Sequence, residues 1–416
     1  MDEGTWAALY EKTGTPLLHP VFVGFNVNLD RIINVSRELL ESAEFRQGEL
    51  KELRLHMVHS MVHCTAEEWF VPDPVQYVRF TGYFSKTGSL ALGGQAGIAA
   101  LHLAKLGNPN VICIAPEMGQ KTQRMLKNGG VQVIEIPSRE GAGPDTVHLV
   151  FEYKPGLVPL AEGVMARDNR FIASPRKTGK NTIMPEKSLS DTLPRVSTCT
   201  RAFLSGYQYL QEECEFIQAA DQIRLLKENN PDLRVHIECV SVTDERVLAG
   251  IVHHILPSAD SAGMNENELS LMVDGTKEPN RDTGKPDKTT PASLLRGMLK
   301  LAEQTGLARI HLHTFGYYLL VIRKDRCVPT DSQAALLYAA RVVAEAAGGT
   351  ATSVSTSGQE AVNQVADVFG PEQSPGIFLQ GDYYLIIVPT LIAKNISKTA
   401  GLGDILSSTA LVADLF

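Results

Sequence analysis

The chain lacks paired cysteines. Its six cysteines, Cys64, Cys113, Cys199, Cys214, Cys239 and Cys327, form no C-x-x-C pair and no mixed Cys/His cluster at zinc-ligand spacing. A disulfide scaffold and a structural zinc site are excluded, and the six read as reduced thiols of a cytosolic protein. Long apolar runs are missing too. The longest, Tyr383 to Ala393, falls short of the ~18 residues needed to span a bilayer and contains Pro389. The first residues, Met1-Asp2-Glu3-Gly4-Thr5-Trp6, are acidic where a secretory signal is basic and then apolar, so a cytoplasmic location is expected. Nor is there an excess of positive charge: 39 basic against 47 acidic side chains leave a net charge of −8. Such a chain has no general field for nucleic acid and is repelled by an anionic membrane, so small-molecule substrates are the expected partners. What is present, 44% hydrophobic and 21% charged residues in 416, can bury a large core.

Strand-like and helix-like patterns alternate, which favours a mostly parallel, doubly wound α/β sheet covered by helices. Pro20–Phe25 reads as a buried strand ending at Asn26-Val27-Asn28-Leu29-Asp30, and Gly93-Gly94-Gln95 opens a helix through Leu106. Strands follow at Val111–Ala115 and Val131–Ile136, and a second series holds strands at Arg201–Gly206, Arg234–Val240 and Arg309–Thr314. A hairpin turning near Gly381-Asp382 leads to a final helix starting near Asp404. Residues 31–88 and 146–185 are less regular and more polar. The expected division is therefore a large domain of residues 1–30, 89–145 and 186–416, and a small α/β lid domain of 31–88 and 146–185.

The strongest local signal for chemistry is Gly401-Leu402-Gly403-Asp404 between a strand pattern and the last helix. Backbone amides at a helix start bind anions. An aspartate among them is costly beside a phosphate unless its carboxylate has a task, such as accepting the proton of an attacking hydroxyl. The bland alternative is an aspartate cap after a glycine turn. His236-Ile237-Glu238 and Asn265-Glu266-Asn267-Glu268 place further carboxylates at the carboxyl edge of the expected sheet, where open α/β folds bind ligands. Hard oxygen donors there suit Mg²⁺ beside phosphates; helix capping and a solvated face are the alternatives.

In their order, Asn26-x-Asn28-x-Asp30, Gly93-Gly94-Gln95, His236-x-Glu238, Asn265-x-x-Glu268, Arg309-x-His311-x-His313-Thr314 and Gly401-Leu402-Gly403-Asp404 resemble the ADP-dependent sugar kinases. These are the ADP-dependent glucokinases and phosphofructokinases of the ribokinase-like superfamily. The resemblance runs from about Val21 to the C-terminus. It implies Asp404 as catalytic base, the amides of Gly401, Leu402 and Gly403 as anion hole, and Glu238, Asn265 and Glu268 as organisers of Mg²⁺ and the phosphates. It implies sugar contacts from Asn26, Asp30, Gly94 and Gln95, and nucleotide contacts from His313 and Tyr317. For Tyr317 core packing is the alternative. Arg170 matches a lid arginine that reaches the nucleotide phosphates, and Lys394 and Lys398, flanking the catalytic loop, are candidates for contacts to the phosphate oxygens, with solvated surface lysines as the alternative.

Fructose 6-phosphate demands basic side chains at the far end of the sugar pocket, and Arg176 and Lys177, in Arg176-Lys177-Thr178-Gly179-Lys180, are the candidates. Glu68, with Glu67 as its alternative, falls where the glucokinases carry a glutamate that contacts a sugar hydroxyl. The expected activity is transfer of the β-phosphate of ADP to fructose 6-phosphate, and also to glucose, in a modified glycolysis. A glucokinase alone, an ATP-dependent kinase of the wider superfamily and a non-catalytic sugar or nucleotide sensor are the competing readings. A monomer or small homo-oligomer is expected.

Overall fold

The computed structural model describes residues 3–63, 67–116, 118–136, 145–154, 156–157, 169–176, 182–242, 244–274, 290–394 and 401–416. Ten strands form the larger sheet, in the order Ile377–Gln380, Tyr383–Pro389, Tyr317–Arg323, Arg309–His313, Ser261–Asn265, Arg234–Glu238, Arg201–Leu204, Val21–Gly24, Val111–Ile114, Gln132–Ile134. The seven from Arg309–His313 onward run parallel, and the other three are antiparallel at one edge. Val21–Gly24, Val111–Ile114 and Arg201–Leu204 are buried at every residue, as expected of strands covered on both faces. From Val21–Gly24 the chain winds outward through Val111–Ile114, then returns on the other side at Arg201–Leu204. The sheet's topological switch point therefore lies between Val21–Gly24 and Arg201–Leu204.

The last helix, Leu402–Ala413, packs against the helices Pro329–Ala346 and Gln95–Lys105. Its residues from Ile405 to Ala413 are all buried, which makes it a core helix rather than an amphipathic surface one. Burying each of its Ile, Leu and Val side chains contributes about 1.5–3 kcal/mol. That burial anchors the first turn, where Asp404 sits.

A separate five-stranded sheet runs in the order Glu67–Val71, Asn169–Pro175, Val147–Tyr153, Asn28–Asn34, Ser89–Gly93. It has its own core, built on Met57, Phe80, Phe84, Phe151 and Phe171. The helices Lys51–His63 and Pro74–Tyr83 belong to this unit, in a stretch whose polar sequence gave little sign of them. The expected boundaries need correction. Asn28–Asn34 and Ser89–Gly93 pair with each other in the smaller sheet, so the chain crosses between sheets at residues 25–27 and again at Gly94. The reason is hydrogen bonding: both strands find ladder partners there, and Asn28–Asn34 gains a parallel neighbour in Val147–Tyr153.

Candidate active site

The carboxyl ends of the parallel strands and the N-terminus of the last helix meet at one edge of the larger sheet. Gly401 caps that helix with φ +73°, a left-handed conformation that favours glycine. The first helical bond runs from the Ile405 amide to the Gly401 carbonyl, so the amides of Leu402, Gly403 and Asp404 have no partner within the helix. At Gly403 a Cβ would lie 2.7 Å from His313 Nε2, so glycine is what lets the helix tip approach the end of strand Arg309–His313. His313 is half-buried, its buried Nδ1 has no hydrogen-bond partner, and desolvation lowers its pKa to about 4, leaving the ring neutral.

Glu238 ends its strand 4% exposed. Burial first, and then the negative charges of Asp404 and Glu268, push its pKa well up. Glu268 is raised to about 8, mainly by burial, with Asp404 adding to the rise. Three carboxylates from three elements thus share one electrostatic neighbourhood at the sheet edge. Ser407, one turn into the last helix, donates to Glu238 Oε1 at 3.2 Å, and His236 Nε2 lies 3.0 Å from Glu238 Oε2.

Asn265 and Glu268 form a reciprocal helix cap. Asn265 Oδ1 accepts from the amides of Asn267 and Glu268, at 2.9 and 3.0 Å, and Glu268 Oε2 accepts from the Asn265 amide at 2.8 Å. Ser241 donates to Glu268 Oε1. The capping alternative is realised, and it fixes the Glu268 carboxylate under the edge. Among the described residues no three His, Cys, Asp or Glu side chains close around a common point. The donor set nonetheless fits Mg²⁺: hard carboxylate and amide oxygens, crowded negative charge, and no soft ligand cage. Mg²⁺ usually keeps several waters and takes one or two carboxylates with substrate phosphates.

At the switch point Asn26 is buried, its carbonyl accepts from Ala96 at 3.1 Å, and its Oδ1 lies 3.5 Å from Tyr209 OH. Gly94 caps the helix Gln95–Lys105. Gln95 Nε2 donates to the Cys239 carbonyl at 3.2 Å, while its buried Oε1 has no hydrogen-bond partner. This side chain links the crossing loop to the strand that carries Glu238. In the smaller sheet Asn28 Nδ2 donates to Asp30 Oδ1 at 2.7 Å. Glu68 accepts from Ser174 Oγ at 2.7 Å, and His148 lies 3.7 Å from it. Strand alternation separates the two glutamates: Glu67 lies 3.7 Å from His59 of the covering helix Lys51–His63, whereas Glu68 points to the opposite face. On that face Phe70 meets Tyr209 of the larger unit edge-to-face at 6.1 Å. Glu68 and Asp30 both help raise the pKa of Tyr209. Of the two glutamates, Glu68 is the one on the face turned to the larger unit.

Not every expected residue comes to this edge. Arg170 pairs with Glu152, which pairs with Asn34, at the end of the smaller sheet away from the chain crossings. It is four residues further along than Asp30, about 13 Å at ~3.3 Å per residue. The strand register, set by ladder hydrogen bonds, keeps it there. Arg176 is exposed just past strand Asn169–Pro175. Tyr317 opens the antiparallel strand beside His313, opposite Pro389. Lys394 is exposed beyond Leu391–Ala393, its amide bonded to the Thr350 carbonyl. Lys177 and Lys398 lie outside the described residues. The sequence reading missed Ser205, Tyr209 and Ser407, and gave no role to Asn28 although it stands in the Asn26-x-Asn28-x-Asp30 motif. Asn28 Oδ1 and Ser205 Oγ are buried without a hydrogen-bond partner. Ser407 was detectable in principle, three residues after Asp404 and hence on the same side of the helix.

Comparison with known proteins completes this picture. A family model described as the ADP-specific phosphofructokinase/glucokinase conserved region matches residues 19–413. The chain is 27% identical to an ADP-dependent glucose/glucosamine kinase of Pyrococcus furiosus, covering 99% of this chain and 98% of that protein. It is 26% identical to an ADP-specific phosphofructokinase of the same organism, over 95% of this chain and 96% of the other. A solved ADP-dependent kinase in complex with fructose-6-phosphate and ADPβS superposes with a TM-score of 0.82 at 24% identity, covering 99% of this chain and 98% of that one. A hypothetical ADP-dependent phosphofructokinase from Pyrococcus horikoshii gives 0.72 at 20% identity, over 96% and 98%. The doubly wound, mostly parallel α/β architecture expected from the sequence is the one found, and it is shared with that ADP-dependent kinase. With a family match over nearly the whole length, the chain belongs to the ADP-specific phosphofructokinase/glucokinase family and is a phosphotransferase with a sugar hydroxyl as acceptor.

Proposed function

We propose that this enzyme transfers the β-phosphate of ADP to fructose 6-phosphate, giving fructose 1,6-bisphosphate and AMP, and phosphorylates glucose as a second activity, as a step of a modified glycolysis. The observation that carries this reading is the position of Asp404, in the first turn of a buried helix whose leading amides make no bond within the helix, and in the neighbourhood of Glu238 and Glu268. Asp404 takes the proton of the attacking sugar hydroxyl as the new O–P bond forms, and AMP leaves with the electron pair of the broken P–O bond. The amides of Leu402 and Gly403 meet the charge on the transferred group. Glu238, Glu268 and Asn265 would hold Mg²⁺, which supplies neutralisation of phosphate charge when bound. Asn26, Asn28, Asp30 and Gln95 orient the sugar, because amides and carboxylates match hydroxyls that both donate and accept. His313, neutral at working pH, and Tyr317 border the nucleotide. The smaller sheet acts as the lid that excludes water from the transfer.

Two features bear on the sugar. Glu68, on the cleft face and held by Ser174, suits a glucose hydroxyl. Arg176, near the same end of the smaller sheet, suits the phosphate of fructose 6-phosphate. Both Pyrococcus furiosus relatives, one named for glucose and one for phosphofructokinase activity, are about equally similar to this chain. The test is product analysis by ³¹P NMR of ADP with each sugar. AMP and phosphorylated sugar forming in equal amounts support the reading, with Arg176→Ala raising KM for fructose 6-phosphate more than for glucose. Binding without turnover would mark the protein as a sensor.

A further inference from the structure

Glu238 is held from behind by a chain of buried side chains that no step of the proposed transfer uses. Asp414, 1% exposed, accepts from Arg309 Nε at 3.0 Å and from Ser332 Oγ at 2.8 Å. Arg309 Nη1 donates to Ser261 Oγ at 3.2 Å. Ser261 Oγ lies 2.8 Å from His236 Nδ1, and His236 Nε2 lies 3.0 Å from Glu238 Oε2. Ser261 and His236 are fully buried.

A guanidinium only donates, so Ser261 Oγ accepts from Arg309, and its own proton is available to His236 Nδ1. In the tautomer that pairs with this arrangement the histidine proton sits on Nε2 and is donated to Glu238 Oε2. With Ser407 on Oε1, each carboxylate oxygen of Glu238 receives one bond from the protein and keeps lone pairs for the sheet edge. Arg309 and Ser261 lie on strands adjacent to one another, and Ser261 on the strand adjacent to His236, so the chain crosses three strands in register.

We propose that Ser261 and Arg309 are positioning residues: through His236 they fix the tautomer and rotamer that aim the Glu238 carboxylate at the site shared with Asp404 and Glu268. This rests on reading Glu238 as an organiser of the divalent cation, and the experiment separates the two. Mn²⁺ binding to the enzyme–ADP complex is measured by electron paramagnetic resonance for wild type, Ser261→Ala, His236→Gln, their double variant and Glu238→Gln. Melting temperature and KM for the sugar are recorded alongside. Losing an outer partner of a metal-organising group weakens binding roughly 10-fold or more. We expect Ser261→Ala to do so, with kcat lowered and sugar KM within about two-fold of wild type. Since the effect passes through His236, the double variant should match His236→Gln alone. Multiplying effects in the double variant would overturn the relay. So would wild-type Mn²⁺ affinity in Ser261→Ala with Glu238→Gln impaired, as a purely structural network moves only the melting temperature. Unchanged affinity in Glu238→Gln would instead overturn the reading of Glu238. If Ser261→Ala does not fold, wild-type affinity in His236→Gln decides against the relay.

Discussion

Asp404 and Glu268 carry opposite demands in one small volume. Asp404 must be ionised to take a proton, and Glu268 is pushed toward holding one, to about 8, by burial. Replacing Asp404 with Ala should lower kcat roughly 10²–10⁴-fold, the usual contribution of a positioned base, with the melting temperature nearly unchanged. Near-normal turnover would remove Asp404 from the mechanism. For Glu268 the folded pKa lies above its ordinary value of 4.5, so between about 4.5 and 8 the folded state binds more protons than the unfolded one. Stability is therefore fully present below that window and falls as pH rises through it. Urea denaturation without divalent cations should show the protein more stable at pH 5.5 than at pH 8. Glu268→Gln should flatten the slope; an unchanged slope would assign the loss to other groups.

Elements explain why single residues are placed so closely. The last helix is buried along Ile405–Ala413, so its tip cannot retreat when something at Gly403 grows. Gly403→Ala puts a methyl against His313 and should cost about 1–3 kcal/mol of stability through overpacking. It should also reduce kcat at least as strongly as it raises KM for ADP, because the amide row and Asp404 move together. Wild-type kinetics would show that the approach of helix to strand does not matter. Legibility also varied by element. The motif at Gly401–Asp404 was readable because a glycine pair before an apolar helix is a local signal, and the hairpin turned at Gly381-Asp382 as expected. The helix Lys51–His63 was not, because its buried positions Leu53, Met57 and Met61 alternate with Arg54, His56 and His59 and with an exposed Leu55, so no clean apolar stripe marks it. Glu68 could be chosen over Glu67 only once strand pairing fixed which side chains face the cleft. Arg170 shows the limit of a motif match: the match suggests a phosphate contact, while its position, paired with Glu152 in the smaller sheet, follows from ladder register alone.

At the scale of the molecule, the ten-stranded and five-stranded sheets, each with its own core, are joined by chain crossings that include those beside Asn26 and Gly94. The sugar-side candidates sit at those crossings or on the smaller sheet, and the phosphate-side candidates, Arg170 apart, on the larger one. A net charge of −8 means that anionic substrates gain little from the whole surface and must be captured by the helix tip, the bound cation and a few basic side chains. The order of motifs along the chain carried this architecture, whereas the crossing points depended on hydrogen-bond partners distant in sequence. The most direct test of the account is a matrix of initial rates, with ADP or ATP as donor, fructose 6-phosphate or glucose as acceptor, and Mg²⁺ present or absent. The account predicts turnover with ADP and Mg²⁺, fastest with fructose 6-phosphate and measurable with glucose. Faster transfer from ATP than from ADP, or full activity without a divalent cation, would contradict it.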